Sequence, residues 1–280
     1  MPEPLDLSTL NPDQLDAVVH RGGPLLVIAG AGSGKTRVLT HRIAHLIDEG
    51  VPPTSILAIT FTNKAAGEMK HRVGELVGGV VKAMWVCTFH SACVRILRQH
   101  AEVLGYPRTF SIYDQSDAQR LAGYVVRDLG LDAKRFPPRA AHGQISLWKN
   151  QGFNAEGAEA QAATPEELSL ARIMARYEER LTAYQSVDFD DLIGLPLKLL
   201  QHHADVREKW QAQLAHVLVD EYQDTNHLQA ATLRLLTPTG RGLTVVGDDA
   251  QSIYSFRAAS IRNILDFPSQ YPNTTVIKLG

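Results

Sequence analysis

The residues best suited to chemistry stand in three short stretches. The first, Ala29-Gly30-Ala31-Gly32-Ser33-Gly34-Lys35-Thr36, follows an apolar run and opens a segment of helical period. Glycines at these spacings let backbone N–H groups turn toward phosphate oxygens, and the N-terminus of the following helix favours negative charge at the same point. Lys35 is then placed to reach the β- and γ-phosphates of a nucleotide, and the Thr36 hydroxyl to ligate Mg²⁺. The strict pattern begins with Gly where this chain has Ala29. The second stretch, His216-Val217-Leu218-Val219-Asp220-Glu221-Tyr222-Gln223-Asp224, is an apolar strand ending in paired carboxylates. Asp220 would hold Mg²⁺, directly or through its water shell, while Glu221 would orient and deprotonate the water that attacks the γ-phosphate. The third runs from Val245 to Arg257, again just beyond a strand, and its Gln251 can meet a γ-phosphate by hydrogen bonding without adding charge. Taken singly, each has a plainer reading: a ligand-free glycine turn, a solvated Asp-Glu turn, and core aromatics at Tyr254 and Phe256 with Gln251 on the surface. Together they point to a Mg·ATP site.

Such a site needs strand tips that meet at one edge of a sheet. Strands are predicted at Pro24–Ala29, Ile56–Phe61, Met84–Phe89, Val217–Val219, Leu243–Val246 and Thr275–Leu279, and their alternation with helical segments predicts a parallel sheet. Val38, Leu39, Ile43, Leu46 and Ile47 recur at helical spacing until Gly50, Pro52 and Pro53 end the helix. Further helices are predicted at about Lys64–Val77 and Ser91–Leu104. Between Arg108 and Ser186 the pattern changes to amphipathic helices such as Leu168–Tyr184, with no convincing strand. Asn154–Ala163, rich in Ala, Glu and Gly, is expected to be a mobile loop. The expected fold class is α/β: a P-loop parallel sheet with helices on both faces, carried by residues 1–107 and 187–280, with an inserted all-helical subdomain at 108–186.

Composition narrows the rest. At 280 residues, 44% hydrophobic and 21% charged, the chain can bury a sizeable core. Twenty-eight Lys plus Arg against 30 Asp plus Glu leave a net charge of -2, so bulk charge does not point to a polyanionic partner. No secretory leader and no apolar run of about 18 residues occurs, so no membrane association is expected. Cys87 and Cys93 have neither metal nor disulfide spacing; they read as buried small apolar residues in a reducing, cytoplasmic setting.

Seven motifs in order resemble those of the UvrD/Rep/PcrA superfamily-one DNA helicases, and they span Leu10 to Tyr254. They are Leu10-Asn11-Pro12-Asp13-Gln14, the P-loop with Arg37 after it, Thr60-Phe61-Thr62-Asn63-Lys64-Ala65-Ala66, Thr88-Phe89-His90-Ser91, Val187-Asp188-Phe189-Asp190-Asp191-Leu192, Asp220-Glu221-Tyr222-Gln223-Asp224-Thr225-Asn226 and Gln251-Ser252-Ile253-Tyr254. The resemblance implies a RecA-like ATP-binding domain with ATP and Mg²⁺ as cofactors. Gln14 would read the adenine edge, Arg37 would lie beside the nucleotide, Lys35 and Thr36 would serve phosphate and Mg²⁺ with Asp220, Glu221 would be the base, and Gln251 the γ-phosphate contact. It also implies that Phe61, Asn63, Thr88, His90, Tyr254, Phe256 and Arg257 contact single-stranded DNA. Aromatic stacking suits that task because every base has a π-face. Phe61 equally suits a core position, and His90 a turn before a helix capped by Ser91.

The implied activity is 3′-to-5′ translocation on single-stranded DNA and at duplex junctions, in repair or replication restart, with DNA repair proteins as further partners. Ala250 stands where many members carry an acid, and Ala258-Ala259 where Gly-Ala is more usual. Members continue past the position of Gly280 into an Asn-Tyr-Arg motif, resembling the source of an arginine finger worth ~10³–10⁵ in rate in other NTPases, and into a second RecA-like domain. These 280 residues are therefore expected to bind nucleotide but hydrolyse it poorly. Two other readings share the motifs: the motor of a RecB-like helicase-nuclease, and a regulatory truncated helicase that binds DNA or a partner without turnover.

Overall fold

The computed structural model of the protein describes residues 3–30, 32–248 and 261–280. Asn11 opens helix α1 (Pro12–Val19) through a capping box: its Oδ1 accepts from Gln14 N–H at 2.9 Å, and Gln14 Oε1 accepts from Asn11 N–H at 3.0 Å. There follow β1 (Leu25–Ala29), α2 (Lys35–Asp48), β2 (Ile56–Thr60), α3 (Asn63–Val77), β3 (Trp85–Thr88) and α4 (Phe89–His100). Next come β4 (Ser111–Tyr113), α5 (Gln115–Asp128), α6 (Pro138–Asn150), α7 (Ala155–Gln161), α8 (Pro165–Ala183), β5 (Ser186–Asp188) and α9 (Asp191–His202). The last part holds α10 (Ala204–Gln213), β6 (His216–Val219), α11 (His227–Leu236), β7 (Leu243–Asp248), α12 (Ile261–Gln270) and β8 (Thr275–Leu279). Two compact units result: Met1–Ala92 with Ala204–Gly280, and Cys93–His203.

In the first unit six parallel strands lie in the order β3-β2-β6-β7-β1-β8. Strands covered on both faces read as unbroken apolar runs; accordingly β2 is buried at every residue, whereas edge strand β8 is mostly exposed. Each strand predicted from sequence is present, with ends within two residues of the prediction. Because every strand runs the same way, all their C-terminal tips share one edge. The strand after β1 in sequence, β2, lies beyond β6 and β7, and this crossover leaves a crevice outside the tips.

Arg42 of α2 braces this unit from within. Its buried guanidinium donates through Nη1 to the carbonyls of Ala17 (2.9 Å) and His20 (2.8 Å), and through Nε to Thr244 Oγ1 (2.9 Å). A cation thereby satisfies the last carbonyls of α1, which no helical N–H can reach, and ties α1 to α2 and β7. Burial, then repulsion from Arg21, draws its pKa down to about 10.

The second unit is mainly helical, with a core around Ala122, Ile145, Trp148 and Tyr177. It departs from the sequence expectation in three ways. It contains strands, β4 and β5, paired in parallel over Ser111–Tyr113 and Ser186–Asp188; three residues are too few to display an alternation. Asn154–Ala163 is not a loop: Asn154 Oδ1 caps α7 by accepting from Gly157 N–H at 2.8 Å, and Ala158 is fully buried in the core shared with α8. The unit also reaches from Cys93 to His203, beyond the expected 108–186, because Phe110, Val187 and Leu192 form one apolar cluster with Leu97 and Ala101 at the end of α4. No helix among the described residues is long and apolar enough to cross a membrane.

Candidate nucleotide-binding site

Buried Ala29 ends β1, and the chain then turns sharply. Gly32 (φ 74°) and Gly34 (φ 82°) occupy the left-handed region that side chains disfavour. Ser33 folds the turn back on itself, its N–H and Oγ both donating to the Gly30 carbonyl, at 3.2 and 2.6 Å. A Cβ on Gly34 would also lie 2.5 Å from Gln14 Nε2, itself bonded to the Ser33 carbonyl at 3.1 Å. Helices α1, α3 and α11 begin with a side-chain cap, from Asn11, Thr62 and Asn226, but α2 begins at Gly34 with none. The first-turn N–H groups of α2 are thus left to an anion at the point where the turn delivers one. Ala31 lies outside the described residues.

Strand order assembles the rest. β1 pairs with β7 so that Ala29 faces Asp248, and β7 pairs with β6 so that Val245 faces Val219, one residue before Asp220. Three carboxylates consequently surround Lys35: its Nζ bonds to Glu221 Oε1 and lies 3.5 Å from Asp220 Oδ1 and 3.6 Å from Asp248 Oδ1. Burial would lower the pKa of the Lys35 ammonium, but Asp220, Glu221 and Asp248 outweigh it and the pKa is raised. At Asp220 burial prevails over the pull of Lys35 and raises the carboxyl pKa. Glu221 adopts φ 50°, ψ 43°, one of two described non-glycine residues with positive φ, and Asp220 Oδ1 accepts its N–H at 2.8 Å. Such a conformation costs about 1–3 kcal/mol and recurs where function sets a side chain's direction.

Two members of this cluster were given no role from the sequence. Asp248 is the tip residue of an apolar strand, the same signal that marked Asp220. Gln223 gave no signal of its own: its buried Nε2 donates to Glu221 Oε2 at 2.5 Å and Asp248 Oδ2 at 3.2 Å, fastening both carboxylates. Thr36 is half-buried beside Lys35. Its hydroxyl and the carboxylates around Lys35 are oxygen donors, the kind Mg²⁺ prefers. Arg37 is exposed and donates to Thr9 Oγ1. Gln251, with Tyr254, Phe256 and Arg257, lies outside the described residues.

The remaining DNA candidates follow the adjacent strands β2 and β3, whose tips align at Thr60 and Thr88. Phe61 is half-buried, neither core nor fully exposed, while Asn63 and His90 are exposed. Thr88, not Ser91, caps α4: its Oγ1 accepts from Ser91 N–H at 3.2 Å, so His90 lies within the first turn and not before it. Cys93 is buried as expected, but Cys87 is only half-buried.

The Val187–Leu192 motif lies in the helical unit, where it builds a different cluster. Lys149 Nζ meets Glu178 at 2.7 Å, Asp188 at 2.8 Å and Asp191 at 3.0 Å. Tyr177 Oη donates to Asp188 at 2.8 Å, and Asp188 and Asp191 each accept the other's backbone N–H, at 2.9 and 3.1 Å respectively. Burial, then repulsion from Asp188 and Glu178, lifts Asp191 to about 7 against the pull of Lys149.

Comparison with known proteins places the chain in a family. Residues 10–272 match the family model of the UvrD/REP helicase N-terminal domain. ATP-dependent DNA helicase UvrD1 of Mycobacterium tuberculosis is 51% identical over 294 aligned residues, covering 99% of this chain and 38% of that protein. UvrD1 of Mycobacterium leprae is 48% identical, covering 98% and 37%. ATP-dependent DNA helicase PcrA of Staphylococcus aureus is 45% identical, covering 98% and 38%. The chain thus spans well under half the length of these relatives, and over nearly all of its own length it belongs to the UvrD/Rep helicase N-terminal domain family.

Proposed function

We propose that the protein is the ATP-binding and ATP-hydrolysing core of a 3′-to-5′ DNA helicase or translocase, cytoplasmic, acting on single-stranded DNA and duplex junctions in repair or replication restart. The observation that carries this reading is the convergence of Asp220, Glu221 and Asp248 on Lys35, at the mouth of an uncapped helix. In this role the Lys35 ammonium exchanges its carboxylate partners for the β- and γ-phosphates. Thr36 and Asp220 would hold Mg²⁺, which neutralises phosphate charge. Glu221, aimed by its left-handed backbone and fastened by Gln223, takes the proton of the attacking water. Gln14 retains one Nε2 hydrogen and one Oε1 lone pair beyond its bonds to Ser33 and Asn11, a donor–acceptor pair matching the N6 and N7 edge of adenine. Phe61, Asn63, Thr88 and His90 serve DNA from the neighbouring strand tips, so that one edge of the sheet carries both ligands. Residues 93–203 act as the inserted subdomain, and a second RecA-like domain with its arginine completes the motor.

Measuring ATP binding and turnover with and without a single-stranded oligonucleotide tests this. Slow turnover that DNA accelerates is expected, with Glu221→Gln lowering it ~10²–10⁴-fold, the usual contribution of a general base, while ATP affinity is kept. Parent-like turnover in Glu221→Gln, or DNA without effect on either ATP affinity or turnover, overturns the reading.

A further inference from the structure

A second cavity, of about 560 Å³, lies at the opposite edge of the parallel sheet, where strands begin. His20 and Arg21 reach it just before β1, His216 at the start of β6, Arg241 just before β7, and Arg42 from α2. Three arginines and two histidines therefore share one recess in a chain of net charge -2, and none of the described residues lining it is acidic. Arg21 has one carboxylate partner, exposed Glu49 at 3.5 Å. The hydrogen bonds of Arg42 run from Nε and Nη1, leaving Nη2 outside them. His216 Nδ1 is buried with no hydrogen-bond partner among the described residues. Burial, then Arg42, Arg21 and Arg241, lower the pKa of His216 to about 4.

Gathering three guanidiniums around one exposed carboxylate is unfavourable for the protein alone, and an anion reverses the sign of that term. Guanidinium groups, planar and forked, match the oxygens of a phosphoryl group better than those of a halide or a lone hydroxyl. The recess is larger than a single phosphate needs, and Leu214, Leu236 and Pro238 give it an apolar wall. We propose that this cavity binds a small phosphoryl-bearing ligand through Arg21, Arg42 and Arg241, with His216 beside it, as a site separate from the P-loop. Bound phosphoryl charge would offset the repulsion that the three guanidiniums add to burial at His216, so binding should raise the pKa of that ring.

The test is a histidine-ring NMR titration of the Lys35→Ala protein, which removes the P-loop lysine, with inorganic pyrophosphate and separately with AMP. The His216 resonance, assigned with His216→Gln, is expected to shift saturably and its pKa to rise by about one unit or more. The exposed pair Arg21→Gln/Arg241→Gln should weaken binding at least tenfold without moving the thermal midpoint, and Arg241→Gln alone serves where the pair does not fold. Equal affinity for both probes supports a phosphoryl site indifferent to what the group is attached to, and tighter AMP binding supports a nucleotide. A His216 signal unmoved at millimolar probe, binding unchanged by the arginine substitutions, or binding seen in the parent but lost in Lys35→Ala overturns the proposal.

Discussion

Two lysines among the described residues are each surrounded by three carboxylates, and they illustrate how the same charges form a proposed ligand site in one place and a fastening in another. Lys35 is 19% exposed at a sheet edge, two of its partners stand at 3.5 and 3.6 Å, and Asp248 is 47% exposed. Lys149 is 9% exposed, its partners stand at 2.7–3.0 Å, and Tyr177 and two backbone N–H groups add bonds to Asp188 and Asp191. Around Lys35 two of the three contacts are long and Asp248 is open to solvent, as the proposed exchange of carboxylates for phosphate oxygens requires. Around Lys149 replacement would leave buried carboxylates without a counter-charge. Openness, rather than composition, separates the proposed ligand site from the structural cluster.

Substituting each lysine should separate the two most strongly. Lys149→Met is expected to destabilise folding by about 3–5 kcal/mol, since removing one partner of a buried ion cluster strands the others; urea unfolding reads this, and a loss below about 1 kcal/mol would erase the distinction. Lys35→Met should move the unfolding free energy by less than about 1 kcal/mol, as for partly exposed pairs. Its ATP affinity should fall about a hundredfold, equivalent to about 2.8 kcal/mol. An equilibrium binding titration beside the same urea series shows whether function and stability part company. The smallest effect concerns pH. Asp191, raised in the folded state to about 7 from an ordinary value near 3.8, holds a proton that the unfolded chain has already released. Its stabilising contribution is therefore full below about 3.8 and is lost as pH rises through about 7. Asp191→Asn should flatten the fall in urea midpoint between pH 5 and 8, and an unchanged slope would overturn this assignment.

Much of this arrangement was legible in the residues, for identifiable reasons. Strands β1, β2, β6 and β7 showed themselves because burial on both faces demands unbroken apolar runs. Lys35, Asp220 and Glu221 could be named because a glycine turn and a paired acid at a strand tip have few other uses together. Asp248 could not, since an acid ending a strand looks the same whether it faces a lysine or water; only the β6-β7-β1 order puts it beside Lys35. Lys149 was hidden for a related reason. A lysine in the last turn of a helix reads as a solvated complement to the helix dipole, and its three partners come from two other segments of the chain. The strands β4 and β5, three residues each, fell below the length at which periodicity carries information.

The backbone N–H of Asp220 donates to the Ile59 carbonyl at 2.9 Å, and Ile59 precedes Phe61 by two residues. The carboxylate proposed to hold the metal and the aromatic proposed to meet a base therefore hang from one rung of a stiff ladder. Any displacement of Asp220 would be passed through this bond to the strand that leads into Phe61, much as two tools fixed to one bar move together.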